Sequence, residues 1–195
     1  MTLSPPFLLF LAYLLGSLPF GLILTRLYGL GDIRKIGSGN IGATNVLRTG
    51  KKSLAFLTLI LDALKGAAAV WLAMYILPEQ APMAGLAALL GHMFPFWLAF
   101  KGGKGVATLI GVLLALSWPL GLMMMLVWLA AALMLRISSL AALCAVLSIP
   151  IFINIFHVYN ILPAVTLMIF FVIIKHRNNI LRLFTGTEPK IGQNS

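Results

Sequence analysis

Residues Gly37-Ser38-Gly39-Asn40-Ile41-Gly42-Ala43-Thr44-Asn45-Val46-Leu47-Arg48 gather three glycines, two asparagines, a serine, a threonine and an arginine. Glycines let successive backbone N–H groups converge on one anion. Ser38, Asn40, Thr44 and Asn45 add neutral hydrogen-bonding groups, and Arg48 adds a planar cationic fork that matches phosphate. The bland alternative is a flexible turn with a snorkelling arginine, but a turn needs no such density of small donors. The spacing Gly37-x-Gly39-x-x-Gly42 also matches the dinucleotide-binding fingerprint, with Asp62 at about the expected distance. The context excludes that reading: no strand or β-α-β pattern surrounds the glycines, and Asp62 lies in an apolar run.

A second cationic, glycine-rich segment reads Lys101-Gly102-Gly103-Lys104-Gly105. Lys101 and Lys104 suit an anion clamp, although two snorkelling lysines that fix topology have the same spacing. No Ser or Thr follows Lys104, so this is not a P-loop. His92 stands just upstream, either as a buried hydrogen-bonding histidine or as part of a polar cavity. A short third segment, Arg136-Ile137-Ser138-Ser139, is weak alone, since serines at a helix start are more often caps than nucleophiles. The tail starts with Lys175-His176-Arg177-Asn178-Asn179 and continues through Arg182 to Gly186-Thr187-Glu188-Pro189-Lys190-Ile191-Gly192. On a helix His176, Asn179 and Arg182 share a face, and this basic cluster also suits lipid headgroups.

Other residues read as structural. Asp62 and Lys65, three apart in an apolar run, most simply neutralise each other. Cys144, the lone cysteine, sits in an apolar stretch with no base near it in sequence. There is no Cys/His cluster with metal spacing, and the carboxylates are too few for a magnesium site. The expectation is a protein with no metal and no cofactor. No nucleophile elbow of the Gly-x-Ser-x-Gly type is present.

These loops need elements to hold them. Of 195 residues, 61% are hydrophobic and 9% charged, with a net charge of +10. Soluble domains carry about 25% charged residues, so most of this surface should face lipid. The positive balance then points to anionic lipid or anionic substrates rather than nucleic acid. The length fits a single domain over residues 1–195. Nothing resembles a cleaved signal peptide, since the first basic residue, Arg26, follows the first apolar run.

Five apolar runs are visible: 5–25, 53–78, 80–100, 105–135 and 137–174. The last two would form helices of about 46 and 57 Å, too long to cross about 30 Å of hydrocarbon once. Each has turn residues near its middle, Ser117-Trp118-Pro119 and His157-Val158-Tyr159-Asn160. Splitting both predicts an all-α polytopic bundle of seven transmembrane helices, N-terminus outside and C-terminus cytoplasmic, some helices short or broken. Segments 26–52, 101–104, 136–139 and 175–195 then lie inside and hold 13 of the 14 Lys and Arg residues. The outer turns hold none, as the positive-inside rule requires.

The segments Gly37 to Arg48, His92 with Lys101-Gly-Gly-Lys-Gly-Val-Ala-Thr108, and His176…Asn179…Arg182 with Gly-Thr-Glu-Pro-Lys-Ile-Gly192 together resemble the bacterial membrane acyl-phosphate:glycerol-3-phosphate acyltransferases. The resemblance covers essentially the whole chain. It departs at Ile137 and Ser138, where the family often has Tyr and an aliphatic residue. It implies a multi-pass inner-membrane enzyme of phospholipid synthesis whose site faces the cytoplasm. That enzyme would move an acyl group from acyl phosphate to the sn-1 hydroxyl of glycerol 3-phosphate, and a soluble acyl-phosphate-producing enzyme would supply it. Ser38, Asn40, Thr44, Asn45, Arg48, Lys101 and Lys104 would hold phosphate. Ser139, His176 and Asn179 would orient the attacking hydroxyl or the acyl carbonyl. The rival reading is a membrane transporter of phosphate or organophosphate. Against it, every cationic loop lies on one side, whereas alternating access places its site near the midplane.

Overall fold

The computed structural model describes residues 4–192 and is all-helical there. The principal helices are α1 (Pro5–Gly16), α2 (Phe20–Leu27), α3 (Ala43–Leu47), α4 (Lys52–Ile76), α5 (Ala81–Met93), α6 (Val106–Leu116), α7 (Trp118–Leu135), α8 (Ser138–Phe156), α9 (Leu162–Lys175) and α10 (Arg177–Phe184). Helix α4 is the axis of the bundle, with α1, α2, α3, α5 and α6 packed against it. Helices α7 and α8 pair beside α6, and α9 closes the bundle against α5 and α8.

Small residues let these helices approach closely, as in other membrane bundles. A side chain at Gly16 or Gly91 would strike the facing backbone of α5 or α1, and one at Gly111 would strike Ala63 on α4. A Cβ at Gly66 would come within 2.5 Å of the Thr108 carbonyl. Large apolar side chains such as Phe10, Phe56, Leu133, Met134 and Phe170 point outward, the arrangement lipid permits and water would penalise.

The breaks fall where the turn residues suggested, at Ser117 and around His157, but the described residues do not form the expected seven crossings. Among the described residues, five helical units are long and apolar enough to cross a membrane: Pro5–Leu27, Lys52–Ile76, Pro78–Leu98, Trp118–Leu135 and Ser138–Phe156. A sixth is added only if Tyr159–Lys175 and Arg177–Phe184, bent by 56°, count as one span. Helix α6 has 11 residues, about 16 Å, roughly half of the hydrocarbon thickness. Hydropathy does not distinguish lipid from protein as the apolar neighbour. Thr108, Leu109, Gly111, Val112 and Leu113 of α6 are buried in the bundle, so this apolar run serves the core.

The short α6 shapes what lies above it. It forms a hairpin with α7, which has 18 residues and is about 10 Å longer. The chain entering α6 therefore starts well below the level at which α7 ends, and a recess opens between them.

Candidate active site

A cavity of about 560 Å³ fills that recess. One end is polar and basic, lined by Ser38, Arg48, Lys104, His176, Arg182 and Glu188, among others. The other continues as an apolar groove between α4 (Leu59, Ile60, Ala63), α6 (Ile110, Leu114) and α7 (Leu122, Met125, Leu129).

The first loop is organised by Asn45, which is 1% exposed. Its Oδ1 accepts the Ser38 N–H at 3.1 Å, and its Nδ2 faces the carbonyls of Ile33, Ile36 and Asn40 at 2.9, 3.1 and 2.8 Å. These contacts curl the glycine-rich segment around one side-chain amide. Gly37 has φ +52°, and a Cβ there would meet Asn45 Oδ1 and the Arg48 side chain. Glycine at 37 thus serves both a left-handed turn and the approach of Arg48. Thr44 Oγ1 lies 3.2 Å from Ser138 Oγ, joining the first loop to the start of α8.

The second loop hangs from the end of α5. Ala99 and Phe100 both take left-handed φ, 50° and 61°, and reverse the chain. The Gly102 and Gly103 N–H groups can then donate to the Met93 and His92 carbonyls at 3.2 and 3.0 Å. Lys104 emerges into the cavity, while Lys101 is exposed and does not line it. Burial draws the Lys104 ammonium down to about 8; Arg182, Arg48 and Lys175 push the same way, and Glu188 opposes them.

The tail folds back over the site. Glu188, whose side chain is 6% exposed, accepts from Ser139 Oγ at 2.6 Å and Asn179 Nδ2 at 2.5 Å through one oxygen. Its other oxygen accepts from Arg182 Nε at 2.7 Å. The Ile191 N–H donates to the Arg136 carbonyl at 2.6 Å, pinning the tail to the α7–α8 turn. Burial pushes the Glu188 carboxyl up, but the hydrogen bonds from Ser139, Asn179 and Arg182 outweigh it and hold it below the ordinary value. His176 stands at the α9–α10 bend, 2% exposed. Its Nδ1 is 2.8 Å from the Val172 carbonyl. A carbonyl only accepts, so Nδ1 carries the hydrogen, and the neutral ring keeps a lone pair on Nε2.

The structure thus brings Ser38, Asn40, Thr44, Asn45, Arg48, Lys104, Ser139, His176 and Asn179 to one cavity and leaves Lys101 outside it. Residue-by-residue reading missed Glu188 as a site residue. It is one of only four acidic residues, set in a basic tail. A carboxylate kept among so many cations was the available signal.

A multi-helix membrane protein whose cationic loops converge over an apolar groove belongs to the class that works on amphiphilic phosphates at a membrane face. The comparisons narrow that class. The glycerol-3-phosphate acyltransferase family matches residues 6–186. A glycerol-3-phosphate acyltransferase of Mesorhizobium japonicum is 60% identical over 92% of this chain and 92% of its own length. One of Dinoroseobacter shibae is 57% identical over 93% and 90%. The crystal structure of PlsY (YgiH), an integral membrane glycerol 3-phosphate acyltransferase, in its glycerol 3-phosphate form superposes with a TM-score of 0.91. The two are 41% identical over 97% of this chain and 96% of that one. Its lysophosphatidic acid form gives 0.89 at 40% identity. The chain belongs to the glycerol-3-phosphate acyltransferase family.

Proposed function

We propose that this protein transfers a fatty acyl group from acyl phosphate to the sn-1 hydroxyl of glycerol 3-phosphate, giving 1-acyl-glycerol 3-phosphate and inorganic phosphate. It is a multi-pass protein of the bacterial inner membrane, and its site opens to the cytoplasm. One observation carries the reading: a single cavity joins a basic, glycine-rich end to an apolar groove. Both substrates bring phosphate to the first, and the acyl chain needs the second.

The reaction makes an ester bond from the glycerol oxygen to the acyl carbonyl carbon. It breaks the bond from that carbon to the phosphate oxygen, and the phosphate departs with the electron pair. Phosphate is a good leaving group, so positioning and charge stabilisation supply most of the acceleration. The first loop with Ser38 and Arg48, and the second with Lys104, hold the phosphates and offset the charge that develops on the leaving group. Asn40 and Thr44 complete the lining of that end, and Asn45 shapes the loop. Lys101 acts at the headgroup level instead. Ser139 gives its hydrogen to Glu188 and keeps its lone pairs for an incoming hydroxyl, which suits orientation rather than attack by serine. Asn179, held by the same carboxylate, offers its Oδ1. The hydroxyl proton passes to Nε2 of His176 or to a substrate phosphate. A soluble enzyme that makes acyl phosphate is the functional partner upstream.

Purified protein in detergent, given labelled glycerol 3-phosphate with acyl phosphate, acyl-CoA or acyl carrier protein thioester, tests the reading directly. Lysophosphatidate is expected from acyl phosphate alone and is lost in Lys104→Ala. Uptake of label into liposomes without product from any donor would replace the transferase with a transporter.

A further inference from the structure

Asp62, Lys65 and His92 are all nearly fully buried in the bundle, and none has a part in the transfer chemistry above. Charges at such depth are costly unless they pair. Lys65 Nζ lies 2.7 Å from Asp62 Oδ1 and donates at 2.6 Å to the Leu18 carbonyl, where the chain breaks between α1 and α2. Lys65 thus adds a second, charged donor to a carbonyl that the break otherwise leaves with the Phe20 N–H at 3.1 Å. His92 faces the same Asp62 oxygen, its Nδ1 3.7 Å away. That distance is too long for a direct hydrogen bond but close for electrostatic orientation of the ring. The ring in turn lies directly beneath Gly103, where even a single Cβ would overlap it. Asp62 and His92 both line the cavity wall under the second loop.

Three contacts thus converge on one short loop. The His92 ring supports Gly103 from below, the His92 carbonyl accepts the Gly103 N–H, and the Met93 carbonyl accepts the Gly102 N–H. Lys175 Nζ, over the Phe94 ring, also donates to the Met93 carbonyl at 2.9 Å. We propose that Asp62, Lys65 and His92 form a positioning node that fixes the Lys101–Gly105 loop, and with it Lys104, relative to the cavity. The break between α1 and α2 anchors Lys65, Lys65 anchors Asp62, Asp62 orients His92, and His92 sets the loop. The loop in turn acts on substrate through Lys104, so the kinetic consequence rests on the phosphate-binding role assigned to that residue above.

Two variants test the node: His92→Asn, which withdraws the ring from beneath Gly103, and the double variant Asp62→Asn/Lys65→Met, which removes both charges together so that neither is left buried alone. Exchange of the Gly102 and Gly103 amides in substrate-free protein, read by hydrogen–deuterium exchange mass spectrometry, is expected to quicken about tenfold or more in both. The thermal midpoint should stay near the native value in His92→Asn and fall only slightly in the double variant, which also loses the Lys65 bond to the Leu18 carbonyl. KM for acyl phosphate should rise about ten- to hundredfold, the scale of a small misplacement of a binding group. Native exchange at the two glycines would overturn the node. So would a general fall in protection and midpoint with no effect centred on the loop, because the three residues would then only fill and neutralise the core. Faster loop exchange with unchanged kinetics would uphold the node and remove Lys104 from the phosphate site.

Discussion

Lys104 is a cation whose charge depends on where the fold puts it. With its ammonium near 8, it is charged at neutral pH and loses the charge as pH rises through that value. In the range from about 8 to the ordinary 10.5 the unfolded chain binds more protons, so stability gains with pH there while the cation proposed to hold phosphate is lost. kcat/KM is therefore expected to fall above pH 8, and Lys104→Arg, which stays protonated, should shift that fall to higher pH. A native profile flat well beyond pH 8 would deny Lys104 its role. Glu188 has the opposite sign. Its folded value lies below the ordinary 4.5, so its stabilising contribution is complete above that value and is lost as pH falls through the lower folded one. Glu188→Gln keeps the shape but loses the charge that holds Arg182, where a hydrogen bond to a charged group contributes about 1.5–3 kcal/mol. A ten- to hundredfold loss of kcat/KM is expected, with faster amide exchange at Ile191, whose N–H pins the tail to Arg136.

At the scale of elements, the unequal hairpin of α6 and α7 does the most for the site. Its short arm lowers the Lys104 loop into the bundle, and its long arm carries the groove wall from Leu129 down to Leu122. Only 22% of the α7 span is buried, so this wall borders lipid on its outer side. Leu122 lines the groove toward the α6–α7 turn, next to Gly121, which packs against Leu114. Leu122→Trp should shorten the usable groove, raising KM for long-chain acyl phosphate severalfold and for short-chain donors little, with KM for glycerol 3-phosphate unchanged. Equal loss for all chain lengths would show that the acyl chain lies elsewhere.

For the whole molecule, the ordering principle is asymmetry across the membrane. The first loop, the second loop, the α7–α8 turn and the tail all meet at one cavity, and they hold nearly all the basic residues. Lys35 and Glu79 lie beyond opposite ends of α4. With Cys144→Ala as background, Lys35→Cys and Glu79→Cys should react with an impermeant thiol reagent from opposite sides of sealed vesicles. Labelling of both from one side would invalidate the topology.

Composition and charge placement by themselves determined the solvent, the helical class and the grouping of the cationic loops, because the bilayer penalises charge and unpaired backbone wherever they occur in the chain. The glycine-rich loop with Arg48, and His176 with Asn179 and Arg182, were also legible, since their chemistry lies within a few residues of sequence. Other features depended on contacts between distant segments. Apolar residues of α6 look in sequence like those of a crossing, and only packing against α4 shows that they line the core of a half-length helix. Lys101 and Lys104 are near-equivalent in sequence, yet the reversal at Ala99 and Phe100 sends one outward and one into the cavity. Glu188 becomes the centre of the polar network only when the tail folds back onto α8 and α10. Hydropathy and spacing record what a side chain is, whereas the neighbour that satisfies it, across 49 residues between Ser139 and Glu188, is chosen by the tertiary fold.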